Sequence, residues 1–482
     1  MTLPVPKDKI SDIASKYQSL ISTELLRSFA KESKFIRRQR IMTGEAFAKM
    51  CILGGEPSGK SVSLPQLSAR GVELGIKMST SSLHDRFNAS SERFMQLVFE
   101  WVLHFKLSND LGLNTLEDFS AVQVQDSTGW QLPDALKSRF PGFGGAASEG
   151  GVKIDLRMNV KRGSFEVDIR GAKQNDATAS MGTISEGSLW LRDLGYFKIE
   201  SLRDIQLSGA FFISRMKSST HIYSSENSIK TIELEDLSKN LNVNQIREQW
   251  VYIGKDERFR VRLIIQKLPE QVANERKRAL KASMKDKGKS LTNERLSWCE
   301  YNVFITNLGD EKYAGQLVMN LYAIRWTIEI VFKVWKSVYK IQQVNATNEH
   351  RFMCQLYGKL IWIFLNQKLF SWVKTHFWNR HHIDLSEMKG HKILQDLKAS
   401  LQAAIIFNVL ALFEKFIELF WNTISIVGKK QPRKRRRNQL LFPSDSLVYE
   451  AEYQGYSAKP DGYALCPVLT VYLNHICHLV TS

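Results

Sequence analysis

Cysteine is scarce in this chain and follows no pattern: Cys51, Cys299, Cys354, Cys466 and Cys477 are scattered, odd in number and without a CxxC pair. That argues against both a disulfide framework and a zinc finger, so the thiols read as reduced core residues. The nearest approach to a metal cluster, Cys466 with His475, Cys477 and His478, has a spacing that fits no known zinc module. Long apolar runs are lacking as well. The stretches Leu360–Phe370 and Ala403–Ile426 are interrupted by Gln367, Lys368, Glu414, Lys415 and Glu418, which makes them amphipathic or buried helices and excludes a transmembrane segment. The first ten residues, with Lys7, Asp8, Lys9 and two prolines, lack the apolar core of a secretory signal, so the expected location is cytoplasmic.

Acidic residues are the minority, with 49 Asp and Glu against 67 Lys and Arg. A surplus of +18 on a chain with ordinary hydrophobic (43%) and charged (24%) fractions describes a folded protein with a polyanionic partner. Nucleic acid leads and an anionic membrane is second. At 482 residues the chain exceeds one typical domain, so appended modules are expected.

Three textures follow one another. From Asp8 to about Leu113 the pattern is helical, with Lys31, Lys34, Arg37, Arg38 and Arg40 at helical spacing. Within it Leu64–Leu74, a turn at Gly75–Ser79 and Thr80–Phe87 have a helix-turn-helix layout, which serves either DNA binding or plain bundle packing. Short β-rich runs then appear at Ala121–Asp126, Val152–Val160 and Ser164–Arg170, which fit a meander. A helical stretch is expected over Ala177–Leu191, then a turn at Asp193, and then the strand Gly209–Ser214 with Arg215 and Lys217 behind it.

Strand-like runs at Thr231–Leu234, Gln249–Ile253 and Arg260–Gln266 precede a basic stretch holding Arg276, Lys277, Arg278, Lys281, Lys285, Lys287 and Lys289, and together they read as a β-rich insertion. The strand Tyr301–Thr306 resumes the α/β pattern. A long helical region runs from Tyr313 to about Lys340, and more helices follow up to Ile426. The tail opens with Lys429, Lys430, Arg433, Lys434, Arg435, Arg436 and Arg437, either a solvated linker or a DNA contact.

The chemistry centres on Tyr322, Arg325, Glu329 and Lys336, whose offsets of three, seven and fourteen put all four within roughly 60° of one another on a helix. Taken alone, such a stripe reads more readily as a solvated face or ordinary helix pairing than as a site. Two earlier carboxylates change the balance. Asp126 ends an apolar strand and Asp193 lies in a turn beside Gly195 and Tyr196. A strand, a turn and a helix can aim three carboxylates at one point, as a pair of hard divalent cations requires.

At these residues the sequence resembles the bacterial cut-and-paste DDE transposases of the insertion-sequence-four type. Their signature of Tyr, two residues, Arg, three residues, Glu, six residues and Lys is matched without a gap by Tyr322, Arg325, Glu329 and Lys336. The segments Asp126–Thr128, Asp193–Phe197 and Thr306–Leu308 look like the family's other blocks, in its order. The resemblance spans about Ala121 to Phe370, and nothing in it covers the tail.

It implies an α/β ribonuclease-H-like catalytic core interrupted by a β-rich insertion, with an all-α N-terminal DNA-binding module and a helical C-terminal region. The expected division is residues 1–115, 116–217, 218–295, 296–428 and 429–482. Asp126, Asp193 and Glu329 would be the catalytic residues, holding two Mg²⁺ ions that Mn²⁺ can replace. Tyr322, Arg325 and Lys336 would grip phosphates, with Arg215 and Lys217 as further DNA contacts, and Trp298 or Tyr301 would stack on a flipped base. The implied partners are double-stranded DNA (the inverted-repeat ends and the target) and a second copy of the chain in a homodimer, in a cytoplasmic, nucleoid-associated setting with no membrane. A metal-dependent nuclease without strand transfer, and a DNA-binding descendant that no longer cuts, remain the alternative readings.

Overall fold

The computed structural model describes residues 6–430, apart from 39–40, 55–61, 106–115, 117, 144–147, 177–178, 287, 289 and 345. The basic run from Arg433 onward and the group Cys466, His475, Cys477 and His478 lie outside the described residues.

The chain begins with six helices: α1 (Lys7–Leu20), α2 (Thr23–Glu32), α3 (Gly44–Leu53), α4 (Leu64–Glu73), α5 (Thr80–His84) and α6 (Ala89–His104). Side-chain caps start most of them. Ser22, Thr43, Ser63, Ser79 and Asn88 each accept a backbone N–H of the first turn, and so satisfy donors that the helix itself leaves open. The expected helix-turn-helix layout is present as α4 and α5. Gly75 turns the chain between them at φ +77°, a conformation that favours glycine.

Nine strands then build one sheet: β1 (Val122–Leu132), β2 (Gly150–Asn159), β3 (Ser164–Gly171), β4 (Leu189–Arg192), β5 (Phe211–Arg215), β6 (Ile222–Tyr223), β7 (Ile246–Ile253), β8 (Phe259–Lys267) and β9 (Tyr301–Thr306). Their order is β3-β2-β1-β4-β5-β9-β8-β7-β6. The meander of β1, β2 and β3 is antiparallel, β4 and β5 run parallel to β1, and the remaining pairs are antiparallel.

Three local expectations fail. The strand carrying Asp126 does not end there but continues to Leu132, because β2 pairs with it over its whole length. The stretch Ala177–Leu191 is not helical among its described residues. Gly182 and Gly187 take positive φ, and Leu189–Leu191 is drawn into β4 between β1 and β5. Thr231–Leu234 is not a strand but leads into the short helix α8 (Leu234–Leu237). The strands of the 218–295 segment also form no sheet of their own. β8 pairs with β9 from Arg262↔Thr306 to Lys267↔Tyr301, so they lengthen the core sheet.

The sheet is covered on both faces. One core joins Val122, Val124, Ile154 and Leu156 to the helices α6, α11 (Gly315–Ala323), α12 (Trp326–Ser337) and the 33-residue α13 (Glu349–His381). The other joins Trp190, Phe212, Val251, Leu263 and Ile305 to α7 (Ile199–Leu207). The basic stretch from Arg276 to Lys285 lies in helix α9 (Glu270–Asp286), followed by α10 (Asn293–Ser297). After α13 come α14 (Glu387–Asp396), α15 (Lys398–Phe407) and α16 (Leu410–Val427). Helix α13 is apolar nearly all round because α3, α6 and α14 surround it. Its Lys368 is half-buried, with a pKa lowered to about 8 by desolvation, and donates to the carbonyls of Leu103 and Phe105. Among the described residues no helix is long and apolar enough to cross a membrane.

Candidate active site

Strand register brings two of the three carboxylates together. β1 and β4 are parallel neighbours with Gln125 opposite Arg192, so the next residues, Asp126 and Asp193, stand side by side although 67 positions separate them in sequence. Val124, Asp126 and Thr128 alternate with Gln125 and Ser127, which puts Asp126 on the face packed by α12. That helix carries Glu329 in its first turn.

Arg325 ties this group together. Its guanidinium donates to Glu329 Oε1 at 2.7 Å and lies 3.7 Å from Asp193 Oδ1, and its own side chain is only 11% exposed. Burial by itself would lower its pKa, but Tyr322, Asp193 and Glu329 beside it hold it charged, above its ordinary value. Asp126 is in the opposite position. Burial pushes its pKa up to about 7, and the charges of Asp193 and Glu329 add to that, against the Ser127 N–H bond (2.8 Å) and the Arg325 charge.

This arrangement fits divalent cations. The donors are all carboxylate oxygens, which hard cations take, and the repulsion felt at Asp126 is the kind that an added positive charge relieves. As the side chains stand, no three His, Cys, Asp or Glu residues among the described ones are grouped tightly enough to hold an ion, and Arg325 lies between Asp193 and Glu329.

The polar stripe is not one continuous helix. α11 ends at Ala323 and α12 starts at Trp326, with Ile324 and Arg325 forming a tight turn through bonds to Leu321 and Tyr322 carbonyls. Neither glycine nor proline marks this break. It goes with partners on β4: Tyr322 donates to the Arg192 carbonyl at 3.3 Å and Arg325 reaches Asp193. Tyr322 is therefore buried, edge-on to Phe304 at 5.0 Å, and burial raises its phenol to about 12. Lys336 is half-exposed and lies two turns beyond Glu329 on α12.

The other candidates lie in the neighbouring part of the sheet. Arg215 ends β5, next to the residue paired with Arg192, and its charge is felt at Tyr322 and at the half-buried Arg276. Burial lowers the pKa of Arg276 to about 9, with Arg215 adding to the effect. Lys217 is held by the Phe197 carbonyl at 3.1 Å. Trp298 and Tyr301, at the end of the 218–295 segment, are half-buried against the second core. Residues that the sequence reading missed lie behind the aspartates: Tyr196, Asp155, Asp176, Lys153 and Arg170 form a buried polar network whose sign in the sequence is the charge alternation Lys153, Asp155, Arg157 within β2. Of the expected core thiols, Cys51 and Cys354 are buried and unpaired.

Residues 118–365 match the family described as the transposase DDE domain, which implies a ribonuclease-H-like fold for this mixed sheet and the use of divalent metal ions. The transposase for insertion sequence element IS1151 of Clostridium perfringens is 31% identical over 445 residues, covering 85% of this chain and 93% of that relative. The transposase for insertion sequence element IS231D of Bacillus thuringiensis subsp. finitimus is 28% identical over 474 residues, covering 94% of this chain and 98% of the relative. That for IS231F of Bacillus thuringiensis subsp. israelensis is 29% identical over 476 residues, with the same shares of 94% and 98%. With both the sheet that holds the carboxylates and nearly the full length of these relatives matched, the chain belongs to the DDE transposase family, enzymes that cleave DNA and transfer its strands.

Proposed function

We propose that this transposase moves an insertion sequence by a cut-and-paste route, with Asp126, Asp193 and Glu329 as the ligands of two Mg²⁺ ions. The observation that carries this reading is the register of β1 and β4, which sets two aspartates side by side under the helix that bears the glutamate. The chemistry supplied by the ions there is activation of a water or a DNA 3′-hydroxyl and stabilisation of the leaving oxygen in an in-line displacement. The protein's share is to hold the three carboxylates on separate rigid elements. Arg325 compensates them in the metal-free chain, and once they are otherwise neutralised its charge is available to a DNA phosphate together with that of Lys336. Arg215, Lys217 and one of Trp298 and Tyr301 extend the DNA contact, and Tyr322 acts from within by fixing the end of β4. The N-terminal segment to residue 115 and the basic tail beyond residue 428 supply further DNA-binding surface, and two copies of the chain bridge the two ends.

Iron footprinting tests the ligand set. When Fe²⁺ replaces Mg²⁺, ascorbate and peroxide generate hydroxyl radicals at the site, and the purified protein should be cut near residues 126, 193 and 329. Cuts confined to other places would overturn the assignment. Affinity for an end fragment should also fall steeply with salt, because basic residues from more than one module neutralise phosphates. A flat salt profile in filter binding would contradict that. Arg325→Ala and Lys336→Ala should each weaken the gel-shifted complex by about 1–3 kcal/mol, the scale of a hydrogen bond to a charged group. Unchanged complexes for both would return them to a purely internal role. A donor-to-target joining assay separates transposition from plain cutting, since a nuclease yields ends but no joined product.

A further inference from the structure

Behind the aspartates, on the face of the sheet turned away from α12, lies a cluster of charges that the proposed reaction does not use. Asp155 of β2 stands opposite Ser127 of β1, and Lys153 of β2 stands opposite Gly129 of β1 and Arg170 of β3. Facing residues in antiparallel strands share a sheet face, so Ser127, Asp155, Lys153 and Arg170 sit together while Asp126 points the other way. All three charges are buried, with Asp155 5%, Lys153 8% and Arg170 8% exposed.

Buried charges cost several kcal/mol each unless they are paired, and here each has an opposite charge beside it. Arg170 bridges Asp155 at 3.2 Å and Asp176 at 3.1 Å, and Lys153 meets Asp176 at 2.9 Å. Two cations balance two carboxylates. Further along the chain Gly182, at φ +60°, lies with its backbone against the Arg157 guanidinium.

This cluster grips the chain at two points, one beside each catalytic aspartate. Ser127 follows Asp126 and donates its N–H to that carboxylate, while its hydroxyl donates to Asp176 at 3.0 Å. Tyr196 closes the turn that opens at Asp193, its N–H bonding to the Asp193 carbonyl at 3.0 Å, while its hydroxyl donates to Asp155 at 2.6 Å. Burial and the Asp155 charge hold that phenol far above its ordinary pKa, so the proton stays on Tyr196 at any working pH. Gln125 adds a third bond to Asp155 at 2.8 Å.

We propose that Asp155 and Asp176, neutralised by Lys153 and Arg170, form a positioning clamp that sets the separation of Asp126 and Asp193 through Tyr196 and Ser127. The proposal rests on the reading of the two aspartates as metal ligands. The clamp residues act through the two aspartates rather than on DNA or metal directly. Two cations about 3.5–4 Å apart tolerate little play between the strands that hold their ligands, and the clamp removes that play from behind.

The test uses the full chain with Tyr196→Phe, which keeps the buried ring and deletes the hydroxyl, and with Ser127→Ala, which deletes the other contact. Three quantities are read: Mn²⁺ affinity from the loss of the free-ion electron paramagnetic resonance signal, the Mg²⁺ concentration for half-maximal end cleavage, and the unfolding temperature. Each variant should weaken Mn²⁺ binding about tenfold and raise the Mg²⁺ requirement to match, the scale of an outer contact to a metal ligand, with metal-free DNA binding unchanged. A lower unfolding temperature with unchanged metal affinity would make the cluster merely structural and overturn the proposal. If Tyr196→Phe fails to fold, Ser127→Ala decides by itself. Asp193→Ala runs alongside. Should it bind Mn²⁺ and cleave normally, the ligand assignment fails and takes the clamp with it. Should it lose both while the clamp variants match the unsubstituted protein, only the clamp fails.

Discussion

Glu329→Ala should abolish Mg²⁺- or Mn²⁺-dependent cleavage of a labelled transposon end while the gel-shifted complex with the same DNA stays as abundant or grows slightly. The glutamate sits in the first turn of α12 with its carboxylate on Arg325, facing the aspartates of β1 and β4. Removing it takes away an oxygen ligand worth several kcal/mol of transition-state stabilisation, which at 1.36 kcal/mol per tenfold amounts to about a thousandfold or more in rate. It also takes away a negative charge from a surface that meets phosphates, so binding is expected to hold or improve. Complex and nicked product must be scored separately on folded protein. Nicking at the unsubstituted rate would return Tyr322, Arg325, Glu329 and Lys336 to an internal ion-pair stripe with no catalytic part.

Asp126→Asn is expected to have opposite effects on activity and stability. Cleavage should be lost with the ligand charge, yet the metal-free protein should become more stable at neutral and alkaline pH. In the folded chain the Asp126 carboxyl titrates at about 7, against an ordinary value of 3.8. Between those values the native state binds a proton that the unfolded chain has released. Its contribution to stability is therefore complete below about pH 4 and is lost as pH rises through 7. Asparagine cannot ionise and escapes that loss, so urea melts at pH 8 should favour the variant by roughly 2–4 kcal/mol, with the two proteins converging near pH 4. Adding Mg²⁺ should narrow the gap, because the carboxylate is then neutralised in the folded state only. A variant no more stable than its parent at pH 8 would show that Asp126 carries no such strain.

The order of elements was legible because each carries its own periodicity. The meander β1 to β3, the strand after α7, the strands β7 and β8 and the helices on either side all stand close to where alternation and 3.6-residue spacing put them. What misled was pattern without context. Gly182 and Gly187 interrupt an otherwise helical-looking stretch, and the short apolar run Leu189–Leu191 becomes strand only because β1 and β5 stand ready on either side to pair with it. Lys153, Asp155 and Arg157 alternating with Val152, Ile154 and Leu156 look like a strand with one wet face, whereas the chain folds back over that face and pairs the charges inside.

By itself the sequence determined the basic balance, the α/β order and the spacing of Tyr322, Arg325, Glu329 and Lys336, since composition and periodicity are local properties. Only the tertiary structure decided how those residues meet. Register between β1 and β4, set by cross-strand hydrogen bonds, makes neighbours of Asp126 and Asp193. The break between α11 and α12 is marked by neither glycine nor proline and goes with the partners that Tyr322 and Arg325 find on β4, which places both beside the carboxylates. The pairing of the buried Lys153, Asp155 and Arg170 with the half-buried Asp176 depends on strands and a covering segment meeting in space, and long-range contacts of that kind leave no periodic trace in the chain.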